Sequence, residues 1–418
     1  MPKHPLKKPE LLAPAQNWSS LRKLGGLADS VYFGVKAYNM RGNAKNFERE
    51  DLKDIVDFCH HQKPKIKAYL ATNILIYDSE LQDIEGLISN AKKAGIDALI
   101  AHDVAVIRFA NRMKLKFHIS TQANVSNVES AKFYETLGAE RIILARELSL
   151  NQIKLIKHHL NKAQIECFVH GSMCTSISGR CYLSATICDS EEFSANRGKC
   201  VQPCRREWRV IDDESNEFIY DGQMFLNTKD LCMIEHIPKL VNANINAFKI
   251  EGRMKDPLYI ETVTACYREA IDSYFDGTFS QEKVQEWLER LNKVYNRGFH
   301  TGFYFHRPTI EDVELEKRGN VSSYRKHYLG KVLSFNTNSM TANILIEIKE
   351  FNLKIGDEII VTGNETYHYH HQKIKHMVFK GEKIQNIHKK RYDNPFKVNL
   401  RLSSKVQRDD KIYIIYQT

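Results

Sequence analysis

Nine cysteines form the most chemically suggestive feature of the chain, and six of them fall between Cys167 and Cys204. An odd number of cysteines argues against a disulfide framework, whereas clustered thiols are typical of metal or redox sites. Cys59, Cys167 and Cys266 sit in apolar patterns and are interpreted as small core residues. The candidates for metal or cluster ligation are Cys174, Cys181, Cys200, Cys204 and Cys232.

The spacing of these five residues distinguishes between kinds of metal site. Six residues separate Cys174 from Cys181, three separate Cys200 from Cys204, and Cys232 stands alone. Zinc ribbons favour C-x2-C pairs, which this stretch lacks. Uneven spacing fits a [4Fe-4S] cluster at least as well, because four thiolates must reach it from different sides. The nearby cations Arg180, Lys199 and Arg205 would favour thiolate ligands. Five candidates compete for four places.

The elements that must position these residues follow a repeating pattern of short apolar runs and amphipathic stretches. Helices are predicted for 79–94 and 128–137, each followed by a glycine, which is a common helix stop. The alternation indicates βαβ units and predicts a (β/α)8 TIM-like barrel over residues 1–256. The predicted strands are 30–33, 65–72, 98–101, 116–120, 141–145, 165–169 and 247–250.

Chemistry in such a barrel is expected at the carboxyl ends of the strands. Most residues just after the predicted strands are polar or ionisable. Loops are polar in general, so a single polar loop indicates little, but the recurrence in all seven units favours a functional site. We predict catalytic roles for His170, Arg146 and Glu147, with His170 as a proton donor or as a hydrogen-bond partner of a ligand. Substrate-binding roles are predicted for Arg41, Asn46, Gln122 and Arg253.

Beyond the barrel, the pattern changes twice. Residues 257–323 read as a helical extension, over 257–295, and a linker. Residues 324–418 read as a small all-β domain, predicted to be a barrel. Its expected strands are 328–334, 342–348, 358–361, 396–401 and 411–416.

The C-terminal domain also carries most of the net charge. From Val321 to Thr418 there are 17 Lys and Arg against 9 Asp and Glu, so this stretch holds +8 of the chain's formal +10. Basic side chains interleaved with aromatics suit RNA, because phosphates need cations and unpaired bases need stacking faces. A merely solvated basic surface is the alternative. The histidine run from Tyr367 to His371 is a further metal candidate, although histidines on an exposed strand usually bind nothing.

Bulk composition excludes several classes of protein. At 418 residues, with 42% hydrophobic and 27% charged residues, the chain is neither disordered nor a disulfide-stapled miniprotein. No run of 18 apolar residues is present, and we expect the N-terminal stretch not to act as a signal peptide. We therefore expect a cytoplasmic protein without a membrane span.

A long motif resembles the collagenase-like peptidase family, the so-called U-type of unknown catalytic type. It reads E-x-F-x-x-G-[SA]-x-C-x4-G-x-C-x-x-S and comprises Glu166, Phe168, Gly171, Ser172, Cys174, Gly179, Cys181 and Ser184. Further similar segments, spread over the barrel half in the expected order, are VYFG at Tyr32, RGNAKNF at Arg41, STQANV at Ser120, RELS at Arg146, NTKDLC at Asn227 and KIEGRMK at Lys249.

Within that family, the chain is most similar to the branch of bacterial tRNA hydroxylation proteins. The resemblance implies conversion of wobble uridine to 5-hydroxyuridine, a [4Fe-4S] cluster, prephenate in place of molecular oxygen, tRNA as partner, and a homo-oligomer or a hetero-oligomer with a family paralogue. It carries Cys174, Cys181 and Cys200 over as cluster ligands. For the fourth place Cys232 is favoured, because a ligand from a separate segment closes the cluster more easily, with Cys204 as the alternate.

Anion binding is the role expected of Arg41, Arg146 and Arg253, which would hold a dicarboxylate such as prephenate. Each arginine could instead pair with Glu147 or Glu251.

Two other functions are weighed against RNA hydroxylation. A peptidase would fit the family name, but no H-E-x-x-H, G-x-S-x-G or D-[ST]-G motif is present, which leaves a Cys174–His170 pair as its machinery. A non-catalytic RNA-binding iron-sulfur protein is the third possibility.

Overall fold

A computed structural model describes residues 6–177, 180–206, 208–219, 226–317, 319–363, 369–390 and 393–417. These residues form two compact units that divide between Val321 and Ser322. Gly179, Tyr367 and His368, which the sequence motifs single out, lie outside the described residues. Within the described part of the chain, none of the helices combines the length and hydropathy needed to cross a bilayer.

The first unit is built from alternating strands and helices. Its strands are Glu10–Pro14 (β1), Ser30–Phe33 (β2), Lys67–Thr72 (β3), Ala98–Ala101 (β4), Phe117–Ile119 (β5), Arg141–Ile143 (β6), Gln164–Ser172 (β7), Arg209–Ile211 (β8), Glu217–Ile219 (β9), Asp230–Cys232 (β10), Ala247–Ile250 (β11) and Phe299–His300 (β12). Its helices are Trp18–Leu21 (α1), Leu52–His60 (α2), Leu81–Ala94 (α3), Val104–Arg112 (α4), Val128–Thr136 (α5), Leu150–His159 (α6), Leu183–Cys188 (α7), Ile237–Asn242 (α8), Pro257–Phe275 (α9) and Gln281–Lys293 (α10).

Eight parallel strands close into a barrel. The order runs from β1 through β7, and β11 pairs with both β7 and β1 to complete the circle. The predicted TIM-like barrel is therefore confirmed. β10 extends the sheet by pairing antiparallel with β7, and β12 pairs with β10.

Local sequence explains where these elements begin and end. Asp103, Ser149 and Asp256 each accept a hydrogen bond from a first-turn N–H of the helix that follows. Gly95 ends α3 in the left-handed conformation, at φ +86°. The barrel strands are almost wholly buried, as expected when helices cover the outside of a parallel sheet.

The second unit is all β, as predicted. Its strands are Tyr324–Asn336 (β13), Thr341–Ile346 (β14), Phe351–Lys354 (β15), Glu358–Thr362 (β16), Tyr369–Lys373 (β17), Met377–Phe379 (β18), Glu382–Lys383 (β19), Asn386–Lys389 (β20), Phe396–Arg401 (β21) and Lys411–Gln417 (β22). Eight of them form one antiparallel sheet in the order β17-β16-β22-β13-β14-β21-β18-β19, and β15 pairs with β20. The unit has its own core, which includes Leu329, Ile344, Leu400 and Ile412.

Candidate functional site

The thiol-rich segment begins where β7 ends, at the carboxyl-terminal mouth of the barrel. Gly171 holds a φ of +107°, and a Cβ at this position would lie 2.4 Å from the Glu251 carbonyl oxygen. Only glycine allows this close passage. The Glu251 amide donates to the His170 carbonyl at 2.8 Å, so the chain leading to Cys174 is held against the end of β11.

Hydrogen bonds draw the later cysteines back towards Cys174. The Cys181 amide donates to Asn196 Oδ1 at 3.1 Å, and the Val201 amide donates to Ser184 Oγ at 3.0 Å. Arg205 donates through Nη2 to the Met173 carbonyl at 2.5 Å. These bonds tie the segments that carry Cys174, Cys181, Cys200 and Cys204 into one loop region, called here the thiol loop.

Four thiols of this loop lie close enough to perturb one another electrostatically. Burial raises the pKa of the Cys200 thiol, and the neighbouring Cys204, Cys174 and Cys181 raise it further. Burial likewise raises the pKa of Cys204, where the Arg205 guanidinium acts in the opposite direction. The raised pKa values keep the Cys200 and Cys204 thiols protonated at neutral pH unless a bound cation displaces the protons.

The donor chemistry of the thiol loop fits an iron-sulfur cluster. Its four members offer only soft sulfur donors, and none is fully buried: Cys174 is exposed and the others are half-buried. Within the described residues, no three His, Cys, Asp or Glu side chains already stand in a metal-ligating arrangement. Assembly around a metal would therefore have to draw the four sulfurs together.

Cys232 lies apart from this group. It is buried in β10, where it pairs with His170 across the strands. Its thiol accepts from the Tyr267 hydroxyl at 3.9 Å, and burial raises its pKa to about 12. The geometry thus favours Cys204, the alternate, over Cys232 as the fourth member of the thiol group.

A recess that opens to solvent lies over the barrel strands. Charged and polar side chains dominate the lining: Tyr32, Arg41, Asn73, Ser120, Thr121, Gln122, Arg146, Lys249, Glu251 and Arg253.

Glu251 anchors the arginines of this recess. Arg41 contacts its Oε1 through Nη2 at 2.8 Å and Nε at 3.2 Å, and Arg146 Nη2 lies 4.0 Å from Oε2. Burial alone would raise the pKa of Glu251, but the arginines outweigh it and lower the pKa to about 2. Burial lowers the pKa of Arg253 to about 10, which leaves it charged. The lining carries four cations, the three arginines and Lys249, and one carboxylate, Glu251. Because Lys249 is paired with Glu166, the recess keeps a surplus of two positive charges.

Two buried donors in the lining lack a hydrogen-bond partner among the described residues, namely Arg146 Nε and Gln122 Nε2. Unsatisfied buried donors are costly, so a ligand rich in acceptor oxygens would stabilise them. Asn46 does not line the recess; its Nδ2 donates to the Arg41 carbonyl at 2.9 Å and so supports the loop that carries Arg41.

Sequence reasoning missed Lys249 and Tyr32, which line the recess from within the strands. Lys249 Nζ lies 3.1 Å from Glu166 Oε1 and 4.2 Å from the centre of the Tyr32 ring. Burial lowers the pKa of Lys249, although Glu166 opposes this. The available signal was a lysine inside the otherwise apolar run AFKI, since a buried lysine needs a specific partner.

The predicted catalytic residues separate in the structure. Arg146 lies in the recess, stacked 4.0 Å from the centre of the Phe168 ring, whereas Glu147 does not line it. His170 packs among the rings of Tyr259, Tyr267 and Phe299, and burial lowers its pKa to about 3. His170 is therefore a neutral packing residue at physiological pH.

The thiol loop and the recess adjoin, because Cys174 contributes to the electrostatic environment of Arg41. Fold and site together define a class: a TIM-like barrel whose mouth combines a cationic recess with a group of four thiols. The chain belongs to peptidase family U32, whose model matches residues 17–314.

Relatives that carry quite different names are similar to this chain along most of its length. An uncharacterised protease of Methanocaldococcus jannaschii is 40% identical and covers 98% of both chains. A collagenase of Porphyromonas gingivalis is 38% identical over 96% of this chain and 98% of its own. The tRNA hydroxylation protein P1 of Bacillus subtilis is 33% identical over 87% of this chain and 86% of its own.

Proposed function

We propose that the protein hydroxylates RNA, converting wobble uridine of tRNA to 5-hydroxyuridine. The observation that carries this proposal is the group of four thiols beside a recess with a charge of +2. Similarity to the tRNA hydroxylation protein of Bacillus subtilis supports RNA as the substrate class. The reaction replaces a C5–H bond by C5–OH and removes two electrons from the base, so a co-substrate must supply the oxygen atom and accept the two electrons.

Cys174, Cys181, Cys200 and Cys204 are the residues proposed to hold a [4Fe-4S] cluster. When bound, such a cluster supplies redox or Lewis-acid chemistry. Arg205 lies next to Cys204 in sequence and donates to the Met173 carbonyl, so its charge would offset the negative charge of four thiolates.

The recess is proposed to bind prephenate as an oxygen-independent co-substrate. Its two carboxylates match the surplus of two positive charges, and the free Nε of Arg146 and Nε2 of Gln122 would donate to ligand oxygens. Arg41 is engaged by Glu251 and, through Nη1, by the Met40 carbonyl, so it would contribute mainly its charge.

Proteolysis is the second candidate function, since two relatives are named protease and collagenase. The one Cys–His pair that the sequence offers for it is Cys174 with His170. His170 is enclosed by aromatic rings and its hydrogen-bond partner is Tyr267, so it is poorly placed to activate Cys174. A non-catalytic RNA-binding iron-sulfur protein would share the thiol group but would be indifferent to prephenate.

Anaerobic purification followed by iron and sulfide analysis tests the proposal, together with incubation of the protein with tRNA and prephenate. We expect about four irons per chain and prephenate-dependent 5-hydroxyuridine. Protein that contains iron but forms no 5-hydroxyuridine would favour the non-catalytic function. Peptide cleavage by iron-free protein that Cys174→Ala abolishes would favour the peptidase.

A further inference from the structure

One face of the C-terminal sheet carries a concentration of cations. Side chains alternate across a β-strand, and in β13, β14, β21 and β22 one set forms the core, including Val332, Ile344, Leu400 and Ile412. The other set, fixed by the strand registers, points away from that core and is called here the outer sheet face.

The outer sheet face is strongly basic. The registers of β13, β16, β17, β21 and β22 place Lys326, Lys331, Lys373, Lys397, Arg401 and Lys411 on it. Glu358 is the one acidic residue that these described strands place there, and it contacts His371 at 3.0 Å. Two carboxylates from flanking segments also reach the face: Glu347 accepts from Tyr328, and Asp409 lies 3.1 Å from Lys331. Six cations against three carboxylates leave a net positive surface, which attracts polyanions.

Two tyrosines lie at the centre of this basic surface. Tyr328 on β13 stands opposite Tyr413 on β22, with ring centroids 5.7 Å apart at 67°. Lys326 Nζ lies 4.7 Å from the centre of the Tyr413 ring. Tyr328 is 37% exposed, and its hydroxyl donates to the Glu347 carboxylate, which fixes the ring. Rings held in place on a sheet surface suit base stacking.

We propose that the outer sheet face binds a single-stranded segment of RNA, with bases on Tyr328 and Tyr413 and phosphates on the surrounding lysines. This inference rests on the proposed function for the identity of the nucleic acid. Single-stranded RNA is favoured over a duplex because stacking on a side chain needs an unpaired base. Anionic lipid headgroups would also bind the cations, but they have no bases to stack on the two ordered rings.

Fluorescence anisotropy with the full-length protein and a short labelled oligoribonucleotide tests the surface. We expect Tyr413→Ala to weaken binding by about five-fold or more, and Tyr413→Phe to retain it, because the phenyl ring still stacks. Lys326→Ala should lower the slope of log affinity against log salt by about 0.7. Lys354→Ala is the matched control, since it removes one exposed lysine from the separate two-stranded sheet of β15 and β20.

Three results would overturn the proposal: Tyr413→Ala binding as well as wild type, Lys354→Ala costing as much as Lys326→Ala, or equal affinity for a duplex of the same length. Circular dichroism of each variant excludes misfolding. If the outer sheet face binds RNA as expected but no 5-hydroxyuridine forms, the proposed reaction is refuted and the proposed RNA-binding surface is supported. If tRNA is hydroxylated but Tyr413→Ala leaves the RNA affinity unchanged, only the proposed RNA-binding surface is refuted.

Discussion

Replacing Glu251 by glutamine should destabilise the barrel unit measurably. The pKa of Glu251 falls from 4.5 to about 2 in the folded protein. One pKa unit corresponds to about 1.4 kcal/mol, so the folded environment favours the carboxylate by about 3 kcal/mol. This agrees with the usual cost of breaking a buried ion pair, about 3–5 kcal/mol. Glutamine keeps the shape and one acceptor oxygen but removes the charge that Arg41 and Arg146 face.

The pH dependence of this effect has a definite sign. Because the folded pKa is lowered, the stabilisation is fully present above the ordinary pKa of 4.5 and is lost as the pH falls towards 2. The difference between wild type and Glu251→Gln should therefore be constant from pH 7 to pH 5 and should narrow below pH 4.5.

Denaturant unfolding followed by tryptophan fluorescence is the suitable assay, because Trp18, Trp208 and Trp287 all lie in the first unit. Glu147→Gln is the matched control, since Glu147 makes no ion pair with the described residues. We expect a loss of about 3 kcal/mol for Glu251→Gln and little change for Glu147→Gln. Equal stability of the two variants, or a gap that persists unchanged at pH 4, would refute the reasoning.

Three further outcomes are expected. Cys204→Ser should lose nearly all iron after anaerobic purification while Cys232→Ser keeps it; the reverse pattern would restore Cys232 as the fourth ligand. Gly171→Ala should lower the unfolding free energy by at least about 2 kcal/mol, because its φ of +107° and the Glu251 carbonyl 2.4 Å from the new Cβ both oppose a side chain. Gly26→Ala is the control, since Gly26 also has a positive φ but has open space around it, and this variant should lose less stability. Equal losses in the two variants would show that the contact with the Glu251 carbonyl is unimportant. His170 has a pKa of about 3 in the folded protein, so as the pH falls the unfolded chain binds a proton at this residue before the folded protein does. Wild-type stability should therefore fall by about 2 kcal/mol between pH 7 and pH 5 because of this residue. The stability of His170→Phe should depend less on pH, and an unchanged dependence would mean that His170 titrates normally.

The sequence predicted the barrel well because its strands are short apolar runs separated by capped helices. Three of the seven predicted strands, 30–33, 98–101 and 247–250, match β2, β4 and β11 residue for residue. β1 was not predicted, since ELLAP is short and ends in proline. In the second unit β15, β17, β19 and β20 were not predicted, because their mostly polar or exposed residues give little alternation. β18 was not predicted either, since it is only three residues long.

Site residues in loops after strands could be predicted from the sequence, whereas those whose role depends on tertiary contacts could not. Arg41, Gln122, Arg146 and Arg253 follow strands and do meet in the recess. The proposal of Cys204 in place of Cys232 rests on contacts that spacing does not reveal. Arg205 brings the Cys204 segment to the Met173 carbonyl, whereas β10 runs antiparallel to β7 and leaves Cys232 against Tyr267.

Nucleoside mass spectrometry of tRNA from a deletion strain tests the central claim most directly. The strain would be complemented with wild type, with Cys204→Ser or with Glu147→Gln as a control outside the recess. The proposal predicts that 5-hydroxyuridine derivatives disappear on deletion, return with wild type and Glu147→Gln, and stay absent with Cys204→Ser. Unchanged 5-hydroxyuridine in the deletion strain would contradict it.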